Sequence, residues 1–354
     1  MRWANGNKMT MVLLVVLVAV LLASDVAQAD FTFGEPENLG ALVNSPGVDA
    51  SPCVTPDGLQ LYYGSDREGG FGGVDLWMST RPTTGDKWGD PVNLGELFNT
   101  PDWDIGPSLS ANGLEFYYTR LNYDAWTGEL WVAKRASIDD PWGEPTSLGA
   151  TVNTATVSCG PCISPDGTAL YFYQGDLTIW MTSRATILDA WGPPANLGSL
   201  VNSGAADYWP HIAANGLVLL FCSGRGGGED VWMARRPTLS DPWSEPVPLA
   251  PPANTEAWDT CPFVSVDGLT YYFVSDRAGG QGSYDLWQAP IEPIVDLDGD
   301  GALGRVDIDI MLENWGTNGL LCDIGPTPFG DGVVDVKDLI VLVEHMVAEV
   351  SETE

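Results

Sequence analysis

Four aspartates between residues 296 and 307 are spaced as the ligands of a hard cation are spaced. Asp296, Asp298 and Asp300 alternate with Leu297 and Gly299, and Asp307 closes the set. Oxygens from alternate residues of a tight loop, Gly301 for the sharp turn, the carbonyl of Ala302 next, and an acid at the twelfth position make a cage of the kind calcium takes. Four acids crowded this closely repel one another unless a cation neutralises them, so Ca2+ is the expected cofactor. A second set follows. With Gly332 aligned on Gly301, Asp331, the Val333 carbonyl, Asp335 and Asp338 fall at loop positions five, seven, nine and twelve. Positions one and three then fall on Thr327 and Phe329, which are poor ligands, and Asp323 is the acid that could reach in from a lengthened loop.

Another group of acids recurs along the chain. Asp49, Asp104, Ser158, Asp207 and Asp259 hold equivalent places at the start of an apolar segment, so four copies of five carry a carboxylate there. Trp103, Trp209 and Trp258 adjoin them. Carboxylates beside indoles suit a sugar, whose hydroxyls meet the acids and whose ring face meets the aromatic plane. A structural alternative stands beside that one. The copy without the acid also lacks the arginine of Ser65-Asp66-Arg67, Ser223-Gly224-Arg225 and Ser275-Asp276-Arg277, having Gln174-Gly175-Asp176 instead. Joint presence and joint absence point to a repeated Asp–Arg ion pair. Glycoside hydrolysis needs carboxylates in unlike environments. Repeat-equivalent acids do not differ in that way, and Asp102 and Asp124 are the acids that break the pattern. Asp75, Glu129, Asp230 and Asp285, in the Asp-Leu-Trp segments, read as turn or strand-end partners.

Histidines and cysteines offer less. His211 lies in an apolar segment and His345 in the terminal helix, with nothing around either that resembles a relay. Cys159-Gly160-Pro161-Cys162 has the thioredoxin spacing, but its Gly-Pro belongs to the repeat, as in Gly106-Pro107, and it precedes a strand rather than a helix N-terminus. No second Cys or His pair accompanies it to hold zinc. Cys53, Cys159, Cys162, Cys222, Cys261 and Cys322 could form disulfides in an oxidising compartment, with no pairing legible.

The elements that position these residues come from one repeated unit. The pairs Asp57-Gly58, Asn112-Gly113, Asp166-Gly167, Asn215-Gly216 and Asp267-Gly268 each join two apolar runs and recur at intervals of about 49 to 55 residues. They suit two-residue hairpin turns with positive φ. A Gly-rich loop follows, then a third strand bearing Trp77, Trp131, Trp180, Trp232 or Trp287, then a Pro-tolerant outer strand. A four-stranded sheet of this size cannot bury both faces alone, so five copies imply a five-bladed β-propeller. The fifth copy lacks its outer strand, and Phe31 to Gly40 reads as an orphan one that closes the ring and covers two exposed edges.

Residues 49 to 290, with Pro56-Asp57-Gly58, Ser65-Asp66-Arg67 and Ser275-Asp276-Arg277, resemble the WD40-like (PD40) repeats of the Tol-system periplasmic propeller and related secreted propellers. That resemblance implies a binding platform, on an architecture that also hosts enzymes. The C-terminal loops carry acids at EF-hand positions, each followed by one amphipathic helix (Val306 to Trp315, Leu339 to Val350), and resemble type I dockerin repeats. The resemblance implies a small all-α, EF-hand-like domain that folds on calcium and attaches to a cohesin-like protein or another cell-surface partner. The usual Ser-Thr recognition pair is replaced by Arg305-Val306 and Val336-Lys337.

Arg2 and Lys8 precede an apolar run, and Ala27-Gln28-Ala29 has the form of a signal-peptidase site. The expected organisation is a signal peptide over 1–29, a propeller over 30–290, a linker over 291–295 and a calcium-binding domain over 296–350, with no membrane span in the mature chain. Across such a linker the two domains are expected to melt separately. The net charge of −33 disfavours nucleic acid and anionic lipid. Together these features suggest a secreted, non-enzymatic protein whose propeller face takes a carbohydrate, such as a polysaccharide, or a protein. A glycoside hydrolase using acids such as Asp49, Asp104 or Asp207 is the enzymatic alternative, and a purely structural envelope scaffold is a third reading.

Overall fold

The structure, a computed structural model, describes residues 31–319, 322–326 and 328–352. The signal-peptide expectation and Thr327 lie outside them. Two short strands open the chain, β1 (Phe31–Phe33) and β2 (Glu37–Asn38). Blade one is β3 (Asp49–Val54), β4 (Gln60–Ser65), β5 (Asp75–Thr80) and β6 (Val92–Asn93). Blade two is β7 (Trp103–Leu109), β8 (Glu115–Asn122), β9 (Thr127–Lys134) and β10 (Thr146–Ser147). Blade three is β11 (Ser158–Ile163), β12 (Ala169–Gln174), β13 (Ile179–Ser183) and β14 (Ala195–Asn196). Blade four is β15 (Asp207–Ile212), β16 (Val218–Ser223), β17 (Asp230–Arg235) and β18 (Val247–Pro248). Blade five is β19 (Asp259–Val264), β20 (Thr270–Ser275) and β21 (Asp285–Pro293), and β2 lies on β21 in the outer position. The fold is a five-bladed all-β propeller. Inner strands of consecutive blades touch all the way round, β19 meeting β3, and Asp49 N donates to the Tyr284 carbonyl across that seam.

The hairpin turns differ in detail from the two-residue form expected of Asp-Gly and Asn-Gly. Only the glycine of each pair is left-handed, with φ between 70° and 73°. Its N–H donates three residues back, Gly58 to the Thr55 carbonyl and Gly113 to that of Ser110, while Asp57 Oδ1 accepts from Leu59 N. The Asx side chain holds a type I turn, and the glycine supplies the one residue a Cβ would strain.

Every inner strand carries a bulge at the same place. Ser51, Gly106, Gly160, Trp209 and Cys261 have φ of 47° to 69°, each just before a proline, and the register slips there in all five blades. The extra residue turns the strand's end into the central channel. Between blades, apolar clusters fill the space, as where Tyr62 and Leu76 of blade one meet Phe116 and Tyr118 of blade two.

Among the described residues two helices follow the propeller, α1 (Arg305–Glu313) and α2 (Val336–Glu352), packed around Met311, Ile324, Val334 and Leu342. Residues 291–293 are not a linker. They continue β21 and pair with β1, Phe31 opposite Pro293 and Phe33 opposite Ile291. Phe329 enters the propeller's own apolar cluster beside Phe31, and Asn215 Nδ2 donates to the carbonyls of Phe329 and Gly330 at 3.1 Å. Among the described residues no helix is long and apolar enough to cross a membrane.

Candidate functional site

The acids at the start of the inner strands sit inside the blades, not in an open mouth. Asp49, Asp104, Asp207 and Asp259 are each 0% exposed. One oxygen of each meets a guanidinium: Arg67 at 2.8 Å, Arg120 at 3.0 Å, Arg225 at 2.8 Å and Arg277 at 2.6 Å. The other accepts the backbone N–H four residues upstream, from Ser45, Thr100, Ser203 and Thr255. Each arginine lies over the tryptophan of its blade's third strand, Trp77, Trp131, Trp232 or Trp287, with 4.4 to 5.6 Å from guanidinium carbon to ring centroid. The carboxylates are therefore occupied by internal partners and are not offered to a ligand. Burial pushes the Asp104 carboxyl up despite Arg120 and Thr100.

Arg120 was not visible as a partner in the sequence because it is not in a loop. Blade two has longer second and third strands, and Arg120 pairs directly across from Asp104. The signal was available in register: in blade three the same cross-strand positions hold Ser158 and Gln174. There Gln174 turns to Thr154 and the buried Ser158 hydroxyl has no hydrogen-bond partner.

The three tryptophans predicted to share a sugar site are dispersed. Trp209 reaches across the channel, its ring over Gly106 and Gly160 of the two preceding blades, where a Cβ would stand 3.0 and 2.8 Å from it. It fills space rather than presenting a face. Trp103 stacks on Tyr123, and Trp258, half exposed, leans on Tyr284, just before β21 of the same blade. The acids Glu229 and Asp230 were missed as exceptions to the repeat. Asp75 and Asp285 accept loop amides and an asparagine side chain, whereas Pro248 stands where an asparagine donor would be needed for Asp230. Burial raises both Glu229 and Asp230, and Asp259 adds to the shift of Asp230.

The channel itself is apolar and begins beyond the acids, lined by Pro52, Pro107, Pro161, Pro210 and Pro262 with the residues after them. Those following residues link the blades. Leu109 N donates to Cys53, Ile163 N to Ser108 Oγ, Ile212 N to Cys162 Sγ and Val264 N to His211 Nε2. His211 is thus a neutral structural acceptor, and burial pushes its pKa down to about 3. All six cysteines are free and buried, and burial pushes Cys53 and Cys162 up to about 12, which removes thiolate chemistry near neutral pH.

In the C-terminal loops, Asp296, Asp298 and Asp307 bring one carboxylate oxygen each within 4.8 Å of one another. Backbone amides shape the cage: Gly299 and Gly301 donate to Asp296, Asp300 to Asp298, Ala302 to Asp300, and Leu297 and Gly304 to Asp307. Asp298 is raised: the Asp300 amide lowers it, but slight desolvation and the carboxylates of Asp300, Asp307 and Asp296 outweigh that. An all-oxygen, all-anionic set of this kind fits a hard divalent cation. The second loop repeats the geometry from Asp323. Asp331 and Gly332 donate to Asp323 as Gly299 and Gly301 do to Asp296, and Ile324 and Asp335 donate to Asp338 as Leu297 and Gly304 do to Asp307. An insertion before Asp331 lengthens this loop, and Asp323 reaches in from it, as the sequence allowed. The Lys337 ammonium already pairs with Asp331 and lies 3.8 Å from Asp335, so the second loop carries a cation of its own.

No family model matches the chain, and no curated protein matches it. Solved structures with a similar fold include the catalytic domain of a Coprinopsis cinerea GH62 alpha-L-arabinofuranosidase, at 10% identity and TM-score 0.51, covering 74% of this chain and 96% of that one. TolB from Acinetobacter baumannii aligns at 14% identity and TM-score 0.46, over 70% of this chain, and this chain spans 56% of its length. The GH43 protein BlXynB from Bacillus licheniformis aligns at 15% identity and TM-score 0.44, over 74% of this chain and 55% of that one. At such identities the likeness is one of fold, a five-bladed all-β propeller.

Proposed function

We propose that this is an exported, non-enzymatic binding protein, with a propeller that presents a ligand face and a calcium-loaded C-terminal module that attaches it to a partner. The observation that carries the first half is the burial of Asp49, Asp104, Asp207 and Asp259 under their own arginines, which leaves the repeat's acids no part in acid–base chemistry. The converging carboxylates of Asp296, Asp298 and Asp307 support the second half. The dockerin-like spacing supports an attachment role toward a cohesin-like or other cell-surface partner, and Ala27-Gln28-Ala29 supports export. The test is incubation of the full chain with neutral polysaccharides, reading both binding and reducing-end release. Binding without release is expected; release by the wild type overturns the reading.

A glycoside hydrolase is the second reading, favoured by Glu229 and Asp230. These part-exposed acids lie outside the repeat's ion pairs and are raised by burial, as a general acid requires. Sugar release abolished by Glu229→Gln or Asp230→Asn, with folding intact, would establish it.

A further inference from the structure

Blade two breaks the pattern on the face where blades one, four and five carry glycine-rich loops and blade three a short turn. Its β8 and β9 are eight residues each, where β4 and β5 have six, and they pair out to Asn122 opposite Thr127. A rigid hairpin therefore projects, with Tyr123-Asp124-Ala125-Trp126 at its tip. Asn122 ties the tip down: its Nδ2 donates to Asp102 Oδ1 at 2.9 Å and its Oδ1 accepts from Ala125 N at 2.8 Å. Tyr123 stacks on Trp103, with ring centroids 4.5 Å apart and planes 14° from parallel, and Trp126 stands at 83° to Tyr123. Trp103 in turn lies against Gly73 of blade one, where a Cβ would come within 2.1 Å of its indole nitrogen. The result is a step of two nearly perpendicular ring planes. Tyr123 is 55% exposed and Trp126 45%.

Two features make this step more than incidental apolar surface. Trp126 holds φ at 49°, a conformation that costs a bulky residue on the order of 1 kcal/mol and that a glycine would adopt freely. Blades one, four and five place a glycine with positive φ in the corresponding loop (Gly69, Gly227 and Gly279) and blade three a left-handed Leu177, so in blade two the strained position carries an exposed indole. The step is also flanked by carboxylates, Asp102 and the exposed Asp124, on a chain of net charge −33. Aromatic planes with acceptors beside them match a ligand that has apolar C–H faces and hydroxyl donors, and the charge disfavours anionic ligands.

We infer that the Trp103–Tyr123–Trp126 step is the propeller's ligand subsite and that it takes a neutral glycan, sugar faces stacking on Tyr123 and Trp126 and hydroxyls donating to Asp102 and Asp124. Three rings are too small an area for a stable protein interface, which needs roughly 800 Å² from each partner, but suffice for one or two sugar units. The inference rests on the binding-platform reading and names its ligand class.

The test is calorimetric titration of the full chain with cellohexaose and xylohexaose, and with trigalacturonate as the anionic probe. The wild type is expected to bind at least one neutral hexaose and not trigalacturonate. Trp126→Gly, which relieves the backbone strain, is expected to weaken binding at least tenfold without lowering the melting temperature, while Trp258→Ala, at another exposed indole of the propeller, leaves it unchanged. Binding of neither hexaose, equal binding by Trp126→Gly, or preference for trigalacturonate would overturn the assignment. Equal binding by that variant would leave the platform reading standing, whereas release of shorter sugars would sink the platform reading and not this site.

Discussion

The ring of Phe329, in the C-terminal module, lies 4.5 Å from that of Phe31, the first residue of β1. Phe329 is 4% exposed and belongs to the same apolar cluster as Val218, Tyr271 and Ile291 of blades four and five. Phe329, carried by the insertion that lengthens the second loop, is therefore a peg set into the propeller. Removing such a ring typically costs about 3 kcal/mol. Calorimetry of Phe329→Ala should show a propeller melting transition lowered by several degrees, and chelation should shift it too. An unmoved propeller transition would mean that the modules are independent, as the supposed linker implied.

The buried Asp–Arg pairs predict a specific asymmetry. Asp104→Ser leaves the Arg120 guanidinium, 22% exposed, facing no carboxylate, and breaking such a pair is expected to cost about 3 kcal/mol. Adding Arg120→Gln reproduces the cross-strand pair that blade three uses, Ser158 opposite Gln174, and should recover a large part of that loss. Urea unfolding of the single and double variants measures it. Additive losses would show that the two residues do not act as a pair.

The five blades were legible because each Asx-Gly turn and each third-strand tryptophan has a fixed local job, and local jobs leave sequence marks. The ion pairs were legible through blade three, where both partners vanish together. Less could be read where the cause is tertiary. Ser51, Trp209 and Cys261 are left-handed because the channel forces a bulge, and no composition signal announces it. Arg120 moved into a strand when blade two's hairpin lengthened. Phe329 looked like a failed ligand because its partner, Phe31, lies almost three hundred residues away. The candidate site suffered most: carboxylate and indole types were right for a sugar, but burial, which sequence does not display, assigns the acids to the scaffold and leaves the aromatics of one hairpin outside.

His211 makes stability depend on acid. Its Nε2 accepts from Val264 N at 3.0 Å, and its ring packs 4.7 Å from Phe263, so the folded protein keeps it neutral down to about 3. The unfolded chain binds a proton there near the ordinary value of about 6.5. Between those limits the unfolded state holds more protons, so stability falls as pH drops from about 6.5 toward 3, by at most about 1.4 kcal/mol per pH unit. His211→Gln keeps an acceptor and does not titrate. Its stability-versus-pH curve should be flatter over that window, and a parallel curve would remove His211 as the cause.

The first acidic loop predicts opposite signs with and without metal. Asp298 is an exposed carboxylate pushed up by its acidic neighbours. Without a divalent ion, Asp298→Asn removes repulsion and should leave the tail as stable or slightly more so. With calcium it removes a direct ligand, and affinity should fall at least tenfold by calorimetric titration. Equal calcium affinity in the two proteins would contradict a metal role for this loop.

Asn38 does for blade five what Asn93 does for blade one. Each pairs across from the third-strand tryptophan, Trp287 or Trp77, and each donates from Nδ2 to the carboxylate that begins that strand, Asp285 at 2.9 Å and Asp75 at 3.0 Å. Asn38 Oδ1 also accepts from Gly40 N and from Asn44, whose side chain bonds both the N–H and the carbonyl of Leu286. Asn38→Asp replaces that donor by a second carboxylate against Asp285, 1% exposed, and should loosen β2 while the β19–β3 seam stays. The edge of β21 then stands open, an invitation to strand pairing between molecules. Loss of about 2 kcal/mol in urea unfolding, with concentration-dependent light scattering, is the expected result, and Glu37→Gln, one residue away on an exposed side chain, should show neither. Were Asn38→Asp as stable and as monodisperse as Glu37→Gln, the N-terminal segment would be an ornament on blade five rather than the clasp of the ring.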